Sequence, residues 1–127
     1  MNHVSYCYCQ PKMVAFTMDI LFLYVTAPDH ATAIRLGRGA VEAQLAACAN
    51  VFAPITSVYR WESQVVEEQE TAFILKTRRS LAVALRVWLE EHHPYEIPCI
   101  LEMPVSGGNP AYLQWVINET KSTENDG

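Results

Sequence analysis

Runs and periods of apolar residues divide the chain into elements. Ile20-Leu21-Phe22-Leu23-Tyr24-Val25-Thr26 is a continuous stretch of β-formers, the pattern of a central strand covered on both faces. Pro28-Asp29 stops it, and Asp29 is placed to cap a helix in which Ile34, Gly37, Val41 and Leu45 recur at helical spacing, opposite Arg35, Arg38 and Glu42. Gly37 within that stripe predicts a close approach of helix to sheet, against a propensity cost of about 1 kcal/mol. From Cys48 to Trp61 the period falls to two, with Ile55, Ser57, Tyr59 and Trp61 on one face and Thr56, Val58 and Arg60 on the other. Pro54 inside this run predicts an edge strand, a bulge or a bend, because proline donates nothing to a ladder. Glu62-Ser63-Gln64 makes the next turn, although it lacks the Gly or Asn that would announce a tight hairpin. The following strand, Val65 to Thr77, begins with Glu67, Glu68 and Glu70 and ends in Ala72-Phe73-Ile74-Leu75, leaving solvent for the core.

Ser80 is the candidate cap of a second helix, with Leu81, Ala84, Leu85 and Trp88 as its core stripe and His92 and His93 at its end. A fourth strand runs from Ile97 to Val105, and Pro110 opens a last short helix that presents Tyr112, Trp115 and Val116 on one side. The predicted fold class is α+β: a ferredoxin-like βαββαβ unit with an antiparallel sheet and a C-terminal helix. Residues 19–119 form the domain, 1–18 an extension without a clean period and expected to be poorly ordered, and 120–127 a polar tail. Two long helices on one sheet face leave the other face open. Tyr59, Trp61 and the aromatics of the last helix are hard to house in so small a monomer, so another subunit is the simplest cover.

Composition narrows the function. A chain of 127 residues with 50% hydrophobic content can build one core, and its formal charge of −5 argues against a nucleic-acid partner, which needs a basic face. No apolar run is long enough to span a bilayer, no basic amphipathic stretch suits a membrane surface, and the first eighteen residues lack the pattern of an export signal. A cytoplasmic protein is expected. Of the four cysteines, Cys7 and Cys9 form a C-x-C pair without the second half of a zinc motif, and Cys48 and Cys99 fall inside patterned segments.

The densest chemistry lies in His92-His93-Pro94-Tyr95-Glu96-Ile97-Pro98-Cys99, which gathers two imidazoles, a phenol, a carboxylate and a thiol where a helix yields to a strand. Each proline pushes its predecessor out of the helical region, so His93 and Ile97 should be extended and well directed. Adjacent side chains in an extended segment point apart, so His92 and His93 are not expected to chelate one ion together.

Tyr24-Val25-Thr26-Ala27-Pro28, Leu45-Ala46-Ala47-Cys48-Ala49-Asn50, Ser57-Val58-Tyr59-Arg60-Trp61, Lys76-Thr77-Arg78 and His93-Pro94-Tyr95-Glu96-Ile97-Pro98 stand in this order. Gly108-Asn109-Pro110 and Tyr112-Leu113-Gln114-Trp115 follow them. Taken together over roughly residues 19–117, the set resembles the CutA family, the divalent-ion tolerance proteins. The resemblance implies a tight homotrimer whose long strands pair between neighbours, an architecture similar to P-II signalling proteins, and a cytoplasmic, non-enzymatic role in tolerance of copper and other divalent metals. It carries over Cys48, the aromatic pair Tyr59 and Trp61, Lys76, the His93-Pro94-Tyr95-Glu96 segment and Trp115. The chain departs from the family at Glu62-Ser63-Gln64, where a glycine is common, so that a turn wider than the family's is expected, and in residues 1–18, which have no counterpart.

Copper or another divalent cation would find suitable ligand types in Cys48, His93, Glu96 and Cys99. A sensor of small molecules or anions is the alternative, with pockets at subunit boundaries built from Tyr59, Trp61, Lys76, Tyr95 and Glu96, and with Trp115 as an interface residue. A plainer role for Lys76 is an ion pair with Glu96 or with one of Glu67, Glu68 and Glu70. A Cys48–His93 nucleophile and base is the third candidate, and nothing in the sequence supplies its oxyanion-stabilising surroundings.

Overall fold

A computed structural model describes residues 19–122; the extension with Cys7 and Cys9 lies outside them. Four strands, β1 (Ile20–Ala27), β2 (Cys48–Trp61), β3 (Gln64–Arg78) and β4 (Ile100–Pro104), form one sheet in the order β2-β3-β1-β4 with every neighbouring pair antiparallel. Helix α1 (His30–Glu42) crosses from β1 to β2, α2 (Ala82–His92) from β3 to β4, and α3 (Pro110–Asn118) closes the chain. The order and the two crossovers are those of the ferredoxin-like fold. Among the described residues no helix is long and apolar enough to cross a membrane.

The alternation within β1 and β3 assigns the faces. Leu21, Leu23, Val25, Phe73 and Leu75 point to one side and are buried beneath both long helices. Phe22, Tyr24, Ile74 and Lys76 point to the other, where Cys48 stands opposite Lys76 on β2, and Leu101 and Met103 stand opposite Tyr24 and Phe22 on β4. Covering one face and leaving the other is therefore a property of the chain's own register.

Several local expectations are corrected by what packs against what. The Asp29 side chain accepts from the Thr32 amide at 2.8 Å, as a cap should. The buried stripe of α1, however, is Ala33, Leu36, Gly37 and Ala40, while Ile34 and Val41 are exposed. Small residues win because the helix lies very close to β2: a Cβ on Gly37 would sit 2.9 Å from that of Ala49. In α2 the buried set is Ala82, Leu85 and Leu89, entered through a 3-10 turn at Arg79–Leu81, and Trp88 lies at the margin against Gly39 of α1. Strand β2 is an edge strand with a register shift between Val51 and Pro54, the disruption that Pro54 announces. The expected wide turn is instead a tight two-residue one, Trp61 pairing with Gln64 while Glu62 and Ser63 take φ of 49° and 68°. Past α3, Thr120 is buried and the Lys121 amide donates to the Gln44 carbonyl at 2.9 Å.

Candidate functional site

The segment after α2 is held as its prolines predict, with His93 extended at φ −82° and ψ 140°. Its ring is buried and both nitrogens are engaged. Nδ1 accepts from the Tyr95 amide at 3.1 Å, which leaves Nε2 to carry the proton and donate to the Thr26 carbonyl at 2.7 Å. His92 is the opposite case. Its Nδ1 donates to the Trp88 carbonyl at 2.7 Å and its ring stacks on Trp88 at 4.2 Å, so in this exposed imidazole Nε2 is the acceptor nitrogen. A backbone-anchored Nδ1–H is the arrangement in which Nε2 commonly ligates metals. His93 thus commits both ring nitrogens to backbone partners, whereas His92 commits one.

Phenols and carboxylates pair beside His93. The Tyr95 hydroxyl donates to Glu70 at 3.0 Å, and that of Tyr59 donates to Glu68 at 2.6 Å. Burial, then the bond to Glu70, pushes Tyr95 up to about 12, and the bond to Glu68 raises Tyr59. The Cys99 thiol is half-buried and raised by burial, against a lowering hydrogen bond with Thr26. Glu96 is exposed.

Cys48 belongs to another part of the sheet. It pairs in register with Lys76, itself opposite Phe22, whereas Cys99 reaches Thr26, four positions further along β1. At about 3.3 Å per residue that is roughly 13 Å along the strand, before the lateral distance is added. The four candidate ligands are thus not one cluster in a single chain, and among the described residues no three His, Cys, Asp or Glu side chains gather as a metal site would need. A complete set of these donors does not fit a metal within one subunit.

The pocket residues divide in the same way. Lys76 donates to the Tyr112 hydroxyl at 3.2 Å, and Tyr112 stacks with Trp115 at 5.4 Å. Tyr59 and Tyr95 bond instead to Glu68 and Glu70 respectively, and Trp61 stands 53% exposed beside the hairpin turn. Arg78 has a role that the sequence reading did not assign. Its buried guanidinium donates to the Ile117 and Thr120 carbonyls and to the Thr120 hydroxyl, locking a cation to the carboxyl end of α3. The adjacency of Lys76-Thr77-Arg78 gave no sign of it, because its partners lie about forty residues away.

An α+β sheet with one helical face and one open face, closed by a clamped C-terminal helix, defines the class of subunit. The model of the family described as CutA1 divalent ion tolerance protein matches residues 21–119, and the chain belongs to that family. It is 40% identical over 104 residues to "Protein CutA" of Mus musculus, covering 82% of this chain and 59% of that protein. It is 36% identical to "Divalent-cation tolerance protein CutA" of Thermus thermophilus, covering 76% and 93%. The crystal structure of CutA1 from Oryza sativa superposes with a TM-score of 0.81 at 37% identity, covering 85% of this chain and 99% of that one. The chain spans about 60% of the length of the first vertebrate relatives it matches.

Proposed function

We propose that this chain acts as a cytoplasmic, non-enzymatic homotrimer in divalent-cation tolerance, binding copper or another divalent cation. The observation that carries the reading is the match over residues 21–119 to the family of divalent ion tolerance proteins. The open sheet face supports the assembly: Leu101 is 59% and Met103 44% exposed, and Tyr112 and Trp115 of α3 are exposed as well. Edge strand β2 also leaves backbone groups for a neighbouring strand to pair. Free thiols at Cys48 and Cys99 accord with a reducing compartment.

In this reading the ligands are Cys48, Glu96 and Cys99, together with His93, which takes part only by giving up one of its two hydrogen bonds. Because these donors are dispersed in one chain, a site of several ligands requires neighbouring subunits. Two measurements on the reduced full chain test the reading. Light scattering at micromolar concentration should give three chains per particle, and titration of copper(I) and copper(II) should show stoichiometric binding that Cys48→Ser or Cys99→Ser weakens at least tenfold. A monomer, or copper binding indifferent to both substitutions, would overturn the corresponding half.

A further inference from the structure

The outer side of α2 carries an apolar stripe that ends in a charge. Val83 is 61% and Val87 42% exposed, and Glu91 follows four positions on, exposed and in no ion pair among the described residues. These three stand at i, i+4 and i+8 of one helix, while Leu85 and Leu89 are buried against the sheet. The stripe therefore faces away from the sheet. It lies across the helix layer from the open face that assembly would cover, and it stands apart from the metal reading.

A complement to this stripe is written in the chain itself. Residues 1–18 as a whole keep no clean period, but Lys12, Val14, Phe16 and Met18 alternate with Met13, Ala15 and Thr17, so an extended segment puts the first four on one side. Alternate residues of such a segment repeat about every 6.6 Å, and i, i+4 positions of a helix about every 6 Å, so Phe16, Val14 and Lys12 match the spacing of Val83, Val87 and Glu91. The point of entry sets the register. The Asp19 carbonyl accepts from the Arg79 amide, at the first residue of the 3-10 turn that leads into α2. Back from Asp19, Phe16 is about 10 Å and Lys12 about 23 Å along an extended chain; on from Arg79, Val83 is about 8 Å and Glu91 about 20 Å along turn and helix. The charges also agree, because Lys12 would meet a carboxylate at the carboxyl end of a helix, where a cation is favoured. We propose that residues 12–18 dock in extended form along α2 of their own chain, Phe16 against Val83, Val14 against Val87 and Lys12 on Glu91.

Hydrogen exchange on the full chain, read by mass spectrometry beside a synthetic peptide of residues 10–19, tests this contact. Amides of residues 13–18 should exchange about tenfold or more slowly in the protein than in the peptide. Val87→Asp, at an exposed position, should return them to the peptide's rate while the amides of β1 stay protected. Lys12→Glu should cost about twofold to fivefold of the protection, the range of an exposed ion pair, and adding Glu91→Lys should give it back. Exchange at the peptide's rate in the unmodified chain would overturn the proposal, as would protection indifferent to Val87→Asp or a charge reversal that the second substitution fails to repair. Protection that disappears on dilution, as particles separate, would assign the segment to the helix of a second copy and overturn docking within one chain.

Discussion

On the helix side of the sheet Leu23, Val25, Phe73 and Leu75 are wholly buried, whereas on the opposite side Leu101 and Met103 remain 59% and 44% exposed. The strands that supply both sides are equally apolar. What differs is the cover: α1 and α2 close one face, and α3 lies beside only part of the other, against Ile20, Ala47 and Val105. A strand apolar on both faces therefore reports that both will be covered, and leaves open whether its own chain does the covering.

Substitutions on the two faces should separate these contributions. Phe73→Ala opens a cavity beneath the helices and should cost about 3–5 kcal/mol, read as a fall in urea midpoint at low and high protein concentration alike. Leu101→Lys, on the open side, should act through assembly: it should favour smaller particles and lower the midpoint mainly in dilute protein. A concentration-independent loss from Leu101→Lys as large as that from Phe73→Ala would show that the open face is ordinary core, and the comparison would fail.

The next effect tests how tightly the covered face is packed. Helix propensity alone says that Gly37→Ala should stabilise α1 by about 1 kcal/mol. The added Cβ would meet the Ala49 Cβ at 2.9 Å, and neither atom is the end of a flexible side chain. Overpacking of this kind costs about 1–3 kcal/mol, so the net change should be a loss. A gain in thermal midpoint would mean that α1 can ride outward and that the covered face is looser than its burial suggests.

The same closeness explains what could be read from the sequence. All four strands, both long helices and their order were legible because period two and the helical period are local properties. The face of α1 was not, since Ile34 and Val41 satisfy the helical period as well as Ala33, Leu36 and Ala40 do, and only the distance to β2 decides for the small set. Likewise the family motif singled out His93, but its tautomer is set by Thr26, 67 positions away, and by the Tyr95 amide. The gap at Glu62-Ser63 has another origin. Long ladder pairing between β2 and β3 holds two non-glycine residues at positive φ, a tertiary payment for local strain.

The smallest effect concerns the half-covered margin where Tyr95 meets Glu70. Tyr95 is raised from 10.0 to about 12, first by burial and then by its bond to Glu70. A raised value means that the folded protein keeps the phenol proton longer than the unfolded chain does. The stability from the neutral phenol is therefore fully present below pH 10 and drains away as pH climbs through about 12. Solvent at this margin screens the interaction, so the loss should be modest beside that of Phe73→Ala. In an absorbance titration of phenolate, Tyr95→Phe should remove a late-ionising tyrosine, and its stability should decline less steeply than wild type across that window. Removal of an ordinary tyrosine titrating near 10 would place Tyr95 in full solvent, and the margin would then belong wholly to the open face.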